Sequence, residues 1–417
     1  MPDIHDPLTL ASGQVLSNRL MKSALSEGLG TPDHGPDHRL VELFRRWGTG
    51  GYGLVITGNV MVDRDHLGEP GNVVVEDDRH LDGLSRWAKA TKDGGSLIWM
   101  QVNHPGRQAN PLATRSQPVA PSAVRMSVPG WQAPRALTDD EIEATIDRYA
   151  HTAAIADVAG FDGVQIHGAH GYLVAQFLSP RTNQRTDRWG GDPRRRMRFV
   201  LEVVRRTRAA VSPGFSVAIK LNSADFQRGG FTEEESRAVI AALAAEDLDL
   251  IEISGGTYES PAMEGRPFVQ SASTTAREAY FVEYARAARE FAGNVPLAVT
   301  GGFRTRAAMS EAVSSGACDV VGLGRPTTVN PAAADSLLVA HQTRLHVPDI
   351  APALPARIAN TARAKTFLSA LELQWHGTQL HRLAAGGEPD PTIGPLATAA
   401  ALLKNNGVNA FRARRNS

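Results

Sequence analysis

The amino-acid sequence predicts an α/β protein built on a closed eight-stranded parallel (β/α)8 barrel. Three observations lead there. Short apolar runs alternate with longer helix-type segments over most of the 417 residues. The runs are near-continuously apolar rather than alternating, as expected of strands buried on both faces of a parallel sheet. Polar residues recur just past the runs: Ser26, Asn59, Asn103 with His104, His167 with His170, Ser254 and Arg325. A doubly wound sheet would also alternate, but a barrel brings those ends together on one face.

Taken in order, the candidate strands are RLMKSAL (19–25), GLVITGN (53–59), SLIWMQV (96–102), DGVQIH (162–167), SVAIKL (216–221), LIEISG (250–255), PLAVTG (296–301) and DVVGLG (319–324). Helix patterns fill the intervals: HRLVELFRRW, HLDGLSRWAKAT, DDEIEATIDRYAHTAAIADVA, RRRMRFVLEVVRRTRAAV, EEESRAVIAALAAE, REAYFVEYARAAREF and RAAMSEAVSSG. Thr138 to Glu141 and Thr232 to Glu235 have capping-box spacing and mark two helix starts.

Two regions leave the alternation. Residues 105–137 are rich in proline and polar residues and too long for a simple connection, so they are expected to form a lid-like excursion over the active face. A tail follows the eighth strand. Its helix-like core is ANTARAKTFLSALELQWHGTQLHRLAAG, and it ends in the basic FRARRNS. The domain division is therefore a barrel over 1–340 and a C-terminal helical extension over 341–417, packing on the barrel or on a neighbouring subunit.

Composition narrows the function classes. Lys+Arg and Asp+Glu number 44 each, which gives no support to a nucleic-acid partner. A single cysteine, Cys318, excludes an intrachain disulfide, an all-cysteine zinc site and a cysteine-ligated iron–sulfur cluster; it reads as an inert packed thiol. MPDIHDPLTL lacks the pattern of a secretion signal, and no apolar run is long enough for a membrane span. The expectation is a cytoplasmic protein.

Chemistry concentrates at the strand ends. TGGF (300–303) and GLGRP (322–326) put glycines after strands seven and eight, where barrels often hold a phosphate, and Arg325 adds a charge. His167 and His170 stand three apart in HGAHGY, with Tyr172 close behind. They admit three readings: metal ligands, hydrogen-bonded loop histidines, or paired donors to one substrate oxygen with the tyrosine as proton donor. Lys220 inside SVAIKL is costly unless it meets an anion or solvent, and Gln101 inside SLIWMQV raises the same question with a neutral amide. Asp225 and Arg228 read as groups that order a loop.

Together these segments resemble the Old Yellow Enzyme family of NADH:flavin oxidoreductases, the FMN-dependent ene-reductases. The likeness is carried by SNRLMKSALSEG, GLVITGNV, MQVNHPGRQ, FDGVQIHGAHGYLVAQFLSPRTNQRTDRWGGDPRRR, AIKLNSADF, LIEISGGTYE, AVTGGF and VVGLGRP, in the family's order over roughly residues 4–340. The resemblance implies a barrel carrying non-covalent FMN at its C-terminal face and taking hydride from NADH or NADPH. It implies that Ser23, Ala24, Leu25 and Ser26 line the flavin ring. Asn59, Gln101 and Lys220 would meet its pyrimidine side, and Gly302, Phe303, Gly324 and Arg325 its phosphate. His167 and His170 match the pair that grips the substrate's oxygen, and Tyr172 the proton donor.

Three positions depart from the family. Ser26 stands where many members have cysteine or threonine, Ala24 where proline is common, and Lys220 where arginine is usual, which keeps the charge and loses the fork. The activity expected is reduction of the C=C bond of α,β-unsaturated carbonyl compounds, and the partners are that substrate and the nicotinamide, with a homo-oligomer compatible. Two other classes share the features: a metal-dependent barrel hydrolase using His167 and His170, and a non-catalytic barrel binding a phosphorylated ligand.

Overall fold

The computed structural model describes residues 1–114, 116–126, 131–255, 270–348, 362–398 and 400, with backbone alone for 270–279, 362–367, 369 and 370. Eight parallel strands close on themselves: β1 (Leu20–Lys22), β2 (Leu54–Ile56), β3 (Leu97–Asn103), β4 (Gly163–Gly168), β5 (Ser216–Asn222), β6 (Leu250–Ser254), β7 (Leu297–Thr300) and β8 (Val320–Leu323). Neighbours in sequence are neighbours in the sheet, β8 pairs with β1, and β2 pairs with β3 to complete the ring. Each coincides with a predicted run.

Helices pack outside: α1 (His38–Gly48), α2 (Leu81–Lys92), α3 (Asp139–Val158), α4 (Pro193–Ala210), α5 (Glu233–Leu243), α6 (Gln270–Ala292) and α7 (Arg306–Ser314). Both predicted capping boxes form, Thr138 with Glu141 and Thr232 with Glu235, so each helix start has its orphan amides satisfied reciprocally. The helix after β6 begins at Gln270, seven residues earlier than its sequence pattern.

The strands' apolar appearance hides an alternation. Outward residues such as Val55, Ile98, Met100, Val164, Ile219 and Ile251 join the large core beneath the helices. Inward residues at the N-terminal end, among them Met21, Leu54, Trp99, Ala218, Leu250, Ala298 and Val320, form a second apolar cluster inside the barrel. An antiparallel hairpin absent from the sequence reading, Leu8–Thr9 with Val15–Leu16, plugs that end, with Leu10 and Leu16 in the inner cluster and Ser12 donating its amide to Asp249 Oδ1 (2.7 Å). With that end filled by hydrocarbon, the inward side chains one and two steps further along the strands are the polar ones.

Segment 105–137 has structure of its own, a 3₁₀ turn (Gly106–Gln108) and a short parallel pair (Val119–Ala120 with Arg135–Ala136). Arg185 anchors it by donating to the carbonyls of Pro121 (3.0 Å) and Leu137 (2.6 Å). Beyond β8 come the short helices Pro326–Val329 and Ala333–Leu338 and then α8 (Ala362–Ala384), which packs against α1. Trp375 on α8 is fully buried, and Arg46 on α1 donates to Gly387 O (2.5 Å). The terminal FRARRNS lies outside the described residues.

Candidate active site

Inward positions at the C-terminal half of the strands form two polar layers. The lower runs across β3, β4, β5 and β6. Gln101 Nε2 donates to Gln165 Oε1 (2.8 Å), Gln165 Nε2 donates to Glu252 Oε2 (2.7 Å), and Lys220 Nζ meets Glu252 Oε1 at 2.9 Å. Lys220 and Glu252 are register partners, so the pairing follows from the strand alignment. A buried ammonium without a counter-charge would be strongly disfavoured. Glu252 supplies it, and part of the lysine's charge is therefore neutralised inside the protein. Gln165 and Glu252 escaped the sequence reading although each interrupts an apolar run as Lys220 does.

The upper layer holds Asn103, His167, Asn222 and Ser254. His167 and His170 meet edge to face with ring centres 5.1 Å apart, and Tyr172 meets His167 at 4.8 Å. His170 has a left-handed backbone (φ +57°), followed by Gly171 at +76°. Asn222 Oδ1 holds that turn by accepting from His170 N (3.1 Å), and Gln108 Nε2 by donating to His170 O (3.0 Å). The turn folds the second histidine back over the first. Ser254 Oγ lies 2.9 Å from His170 Nε2.

Both histidines are neutral at ordinary pH. Burial lowers His167 well below the usual imidazole range, helped by His170 and Lys220, and burial with Lys220 lowers His170 to about 3. His167 Nδ1 accepts from Ala169 N (3.2 Å), which leaves Nε2 as the nitrogen carrying hydrogen. The pair is built to donate, and not to carry charge.

Tyr172 joins a further set. Asn59 Nδ2 donates to Tyr172 Oη (3.5 Å), Ser26 Oγ lies 2.9 Å from Asn59 Oδ1, and Ser26 also bonds Glu69. Glu69 had no local signal in the sequence. Ser23 Oγ bonds Thr300 Oγ1 (2.7 Å) across β1 and β7, and Gly322 lies between them where a side chain would collide with both oxygens. Ala24 and Leu25 are half-buried beside them.

Gly302, Phe303, Gly324 and Arg325 sit at the ends of β7 and β8, apart from the histidine cluster. Gly302 takes φ +82°, which exposes backbone in a way other residues resist. The Phe303 side chain is in the outer core, so only its backbone can face a ligand there. The Arg325 guanidinium pairs with Glu372 of α8. Beside them His376 Nδ1 lies 2.6 Å from Thr328 Oγ1, and burial with Arg325 and Arg304 lowers that histidine to about 3.

This donor set fits FMN. A neutral amide and an ammonium lie deep at one side, and glycine backbone with an arginine lies at the mouth of β7 and β8. Asn103, two residues past Gln101 on β3, is fully buried, and neither of its side-chain polar atoms is bonded among the described residues, as suits a site for a polar ligand. Among the described residues, the one three-residue group with metal-ligand spacing is Asp63, His66 and His104. It excludes His167 and His170, and Arg148 already sits 3.1 Å from the Asp63 carboxylate.

A closed parallel barrel with two imidazoles, a phenol and glycine-rich ends of β7 and β8 suits a flavin-dependent oxidoreductase of the barrel type. The chain belongs to the NADH:flavin oxidoreductase / NADH oxidase family, the Old Yellow Enzyme family, whose model matches residues 3–339. It is 37% identical over 367 residues to the NADH-dependent flavin oxidoreductase iliE of Hypocrea jecorina, covering 82% of this chain and 91% of that one. It is 34% identical over 338 residues to an NADH oxidase of Thermoanaerobacter brockii, covering 78% of this chain and half of that protein. Morphinone reductase in complex with tetrahydroNAD superposes with a TM-score of 0.69 at 25% identity, over 84% of this chain and 93% of that one. The protein is an oxidoreductase that uses FMN and a nicotinamide cofactor. No helix of the described residues is long and apolar enough to cross a membrane.

Proposed function

We propose that the enzyme reduces the C=C bond of α,β-unsaturated carbonyl compounds, with His167 and His170 holding the carbonyl oxygen and Tyr172 protonating the α carbon. FMN, when bound, carries hydride from the nicotinamide to the substrate's β carbon. The observation that supports this reading is the contact of two neutral imidazoles, one buried and one half-buried, with each other and of the buried one with a phenol. Neutral N–H donors aimed at one oxygen draw electron density from the conjugated double bond and stabilise the negative charge that grows there. Each such donor contributes about 10²–10³ in rate. Hydride gain at the β carbon leaves a carbanion equivalent at the α carbon, and the Tyr172 proton completes it. Solvent then restores the phenol. Gln101 and Lys220 would hold the pyrimidine edge of the flavin, with Ser23, Ala24, Leu25, Ser26 and Asn59 along its ring. Arg325 and the backbone of Gly302, Phe303 and Gly324 would hold the phosphate.

The test separates the two half-reactions. Tyr172→Phe keeps the ring packed and removes the acid. Flavin reduction by NAD(P)H needs no proton from Tyr172 and stays near wild type in stopped-flow absorbance. Reoxidation by an enone slows at least about tenfold, since general acid catalysis contributes about 10²–10⁴ and water replaces part of it. Equal slowing of both halves, or unchanged reoxidation, would remove Tyr172 from the acid's role.

A further inference from the structure

Four side chains of the lower layer form one line, Gln101–Gln165–Glu252–Lys220. Gln101 and Gln165 are register partners across β3 and β4, and Lys220 and Glu252 across β5 and β6. Gln165 and Glu252 are completely sealed, whereas Gln101 and Lys220 keep 2% and 3% of their exposure. The members that can reach a ligand are thus the two ends of the line, and the sealed pair joins them.

An amide fits a network either way round, because its oxygen accepts and its nitrogen donates. A carboxylate only accepts. Glu252 Oε1 stands 2.9 Å from Lys220 Nζ, an ion pair without the alignment of a hydrogen bond, and beside that ammonium it is the carboxylate form that is favoured. Gln165 must therefore give its nitrogen to Glu252 Oε2 (2.7 Å), which leaves its oxygen for Gln101. Gln101 must give its nitrogen to that oxygen (2.8 Å). Its own carbonyl oxygen accepts from no described residue and is left for a ligand. The sense of the line is set at its sealed end. A ligand meeting Gln101 and Lys220 breaks none of these bonds, since they are made behind the groups it touches.

The pyrimidine edge of a flavin offers one N–H, at N3, between two carbonyl oxygens. A carbonyl presented to it suits the N–H, and an ammonium suits an oxygen. We propose that Glu252 is a positioning residue for the flavin: through Gln165 it holds the Gln101 carbonyl towards the ring's N3–H. The proposal rests on the reading that places Gln101 at the pyrimidine edge.

Two variants test it, with FMN labelled with ¹⁵N at N3 followed by NMR in the loaded enzyme, and FMN affinity measured by fluorescence titration of the apoprotein. In Glu252→Gln the ammonium draws the new amide's oxygen to its side, so the amide's nitrogen faces Gln165. Both glutamines then reverse, and Gln101 shows N–H to the flavin. Gln165→Met keeps both charges and cuts the line, so it serves even where Glu252→Gln leaves Lys220 too poorly balanced for the chain to fold. Gln101→Leu is the reference for a lost acceptor. In the wild type the N3 proton resonates downfield of its position in free FMN and exchanges more slowly with water. Glu252→Gln and Gln165→Met each move it back upfield and speed its exchange, as Gln101→Leu does. Gln165→Met also binds FMN about two- to tenfold more weakly, the range of one neutral hydrogen bond, because one end of the Gln101 amide stays unpaired whichever way it turns. An N3 proton displaced by Gln101→Leu but unmoved by the other two variants would overturn the proposal, since Gln101 would keep its sense without Glu252. A wild-type N3 proton with the shift and exchange of free FMN would overturn it as well. A protected N3 proton unmoved by Gln101→Leu would instead remove Gln101 from the pyrimidine edge, which is the failure of the underlying reading.

Discussion

His167 and His170 work as neutral groups because burial makes the imidazolium form too costly, and Lys220 nearby adds to that cost. His170, lowered to about 3, gains no proton between pH 5 and 9, and burial moves His167 well down in the same direction. His167→Ala and His170→Ala are each expected to weaken phenol-type inhibitors by about ten- to a hundredfold, for one hydrogen bond to a charged oxygen at roughly 1.5–3 kcal/mol. Neither variant should lose its flavin spectrum. The inhibitor's own ionisation, and no histidine titration, should set the pH dependence of wild-type binding over that range. A break in the profile near pH 6.5 that disappears in either alanine variant would contradict the neutral pair. At this scale the sequence showed which residue types were anomalous. Lys220 and Gln101 stood out as polar interruptions of apolar runs. Glu252 and Gln165 did so equally, but their meaning depends on which strands lie side by side.

Between elements, α8 does most to change the site. Its Glu372 carboxylate sits on Arg325, the cation at the end of β8 that the phosphate of FMN would use. Both side chains keep about a third of their exposure, so the pair is partly screened and a dianionic phosphate can displace it. Arg325→Ala should weaken FMN binding to the apoprotein about ten- to a hundredfold, the range of a charge-assisted hydrogen bond. Glu372→Gln should tighten it several-fold, because the arginine no longer exchanges one anion for another. Fluorescence titration of the apoprotein reads both constants. An unchanged affinity in Glu372→Gln would mean that the carboxylate withdraws when phosphate binds. The helix itself was legible as an apolar-periodic stretch in the tail, whereas its seat against α1 was not, since a helix pattern says which face is apolar and nothing about what covers it.

Over the whole molecule, the barrel carries a buried ion pair unconnected with the proposed chemistry. Lys22 on β1 points outward beneath α1, with Nζ 3.9 Å from the Trp47 ring centre, 3.0 Å from Ile56 O and 3.4 Å from Glu27 Oε1. Glu27 in turn accepts from Gly58 N (3.0 Å). Burial pushes the lysine down to about 8 and the glutamate up to about 7, each opposed by its partner. Lys22→Met leaves an uncompensated carboxylate and should cost about 3–5 kcal/mol in a denaturant titration. Lys22→Met with Glu27→Gln should recover most of it, because the amide oxygen still accepts from Gly58 and no charge is left buried. Additive losses in the double variant would show that the two act independently.

The sequence by itself determined the barrel: eight runs, the helices between them and two capping boxes, found where the residues placed them except for the earlier start of α6. These are local properties, fixed by side-chain period and by hydrogen bonds within one turn of chain. It also determined the family, because glycines, histidines and polar strand ends recur in one order over most of the chain. Tertiary structure alone decided the pairings Lys220 with Glu252, Arg325 with Glu372 and Ser26 with Glu69, the hairpin that plugs the barrel and the folding of His170 over His167. Except for the two histidines and the two strands of the hairpin, those partners stand tens of residues apart. No period or propensity links such positions, and only the closure of the sheet and the packing of α8 and the loop around Glu69 bring their charges and hydrogens within reach of each other.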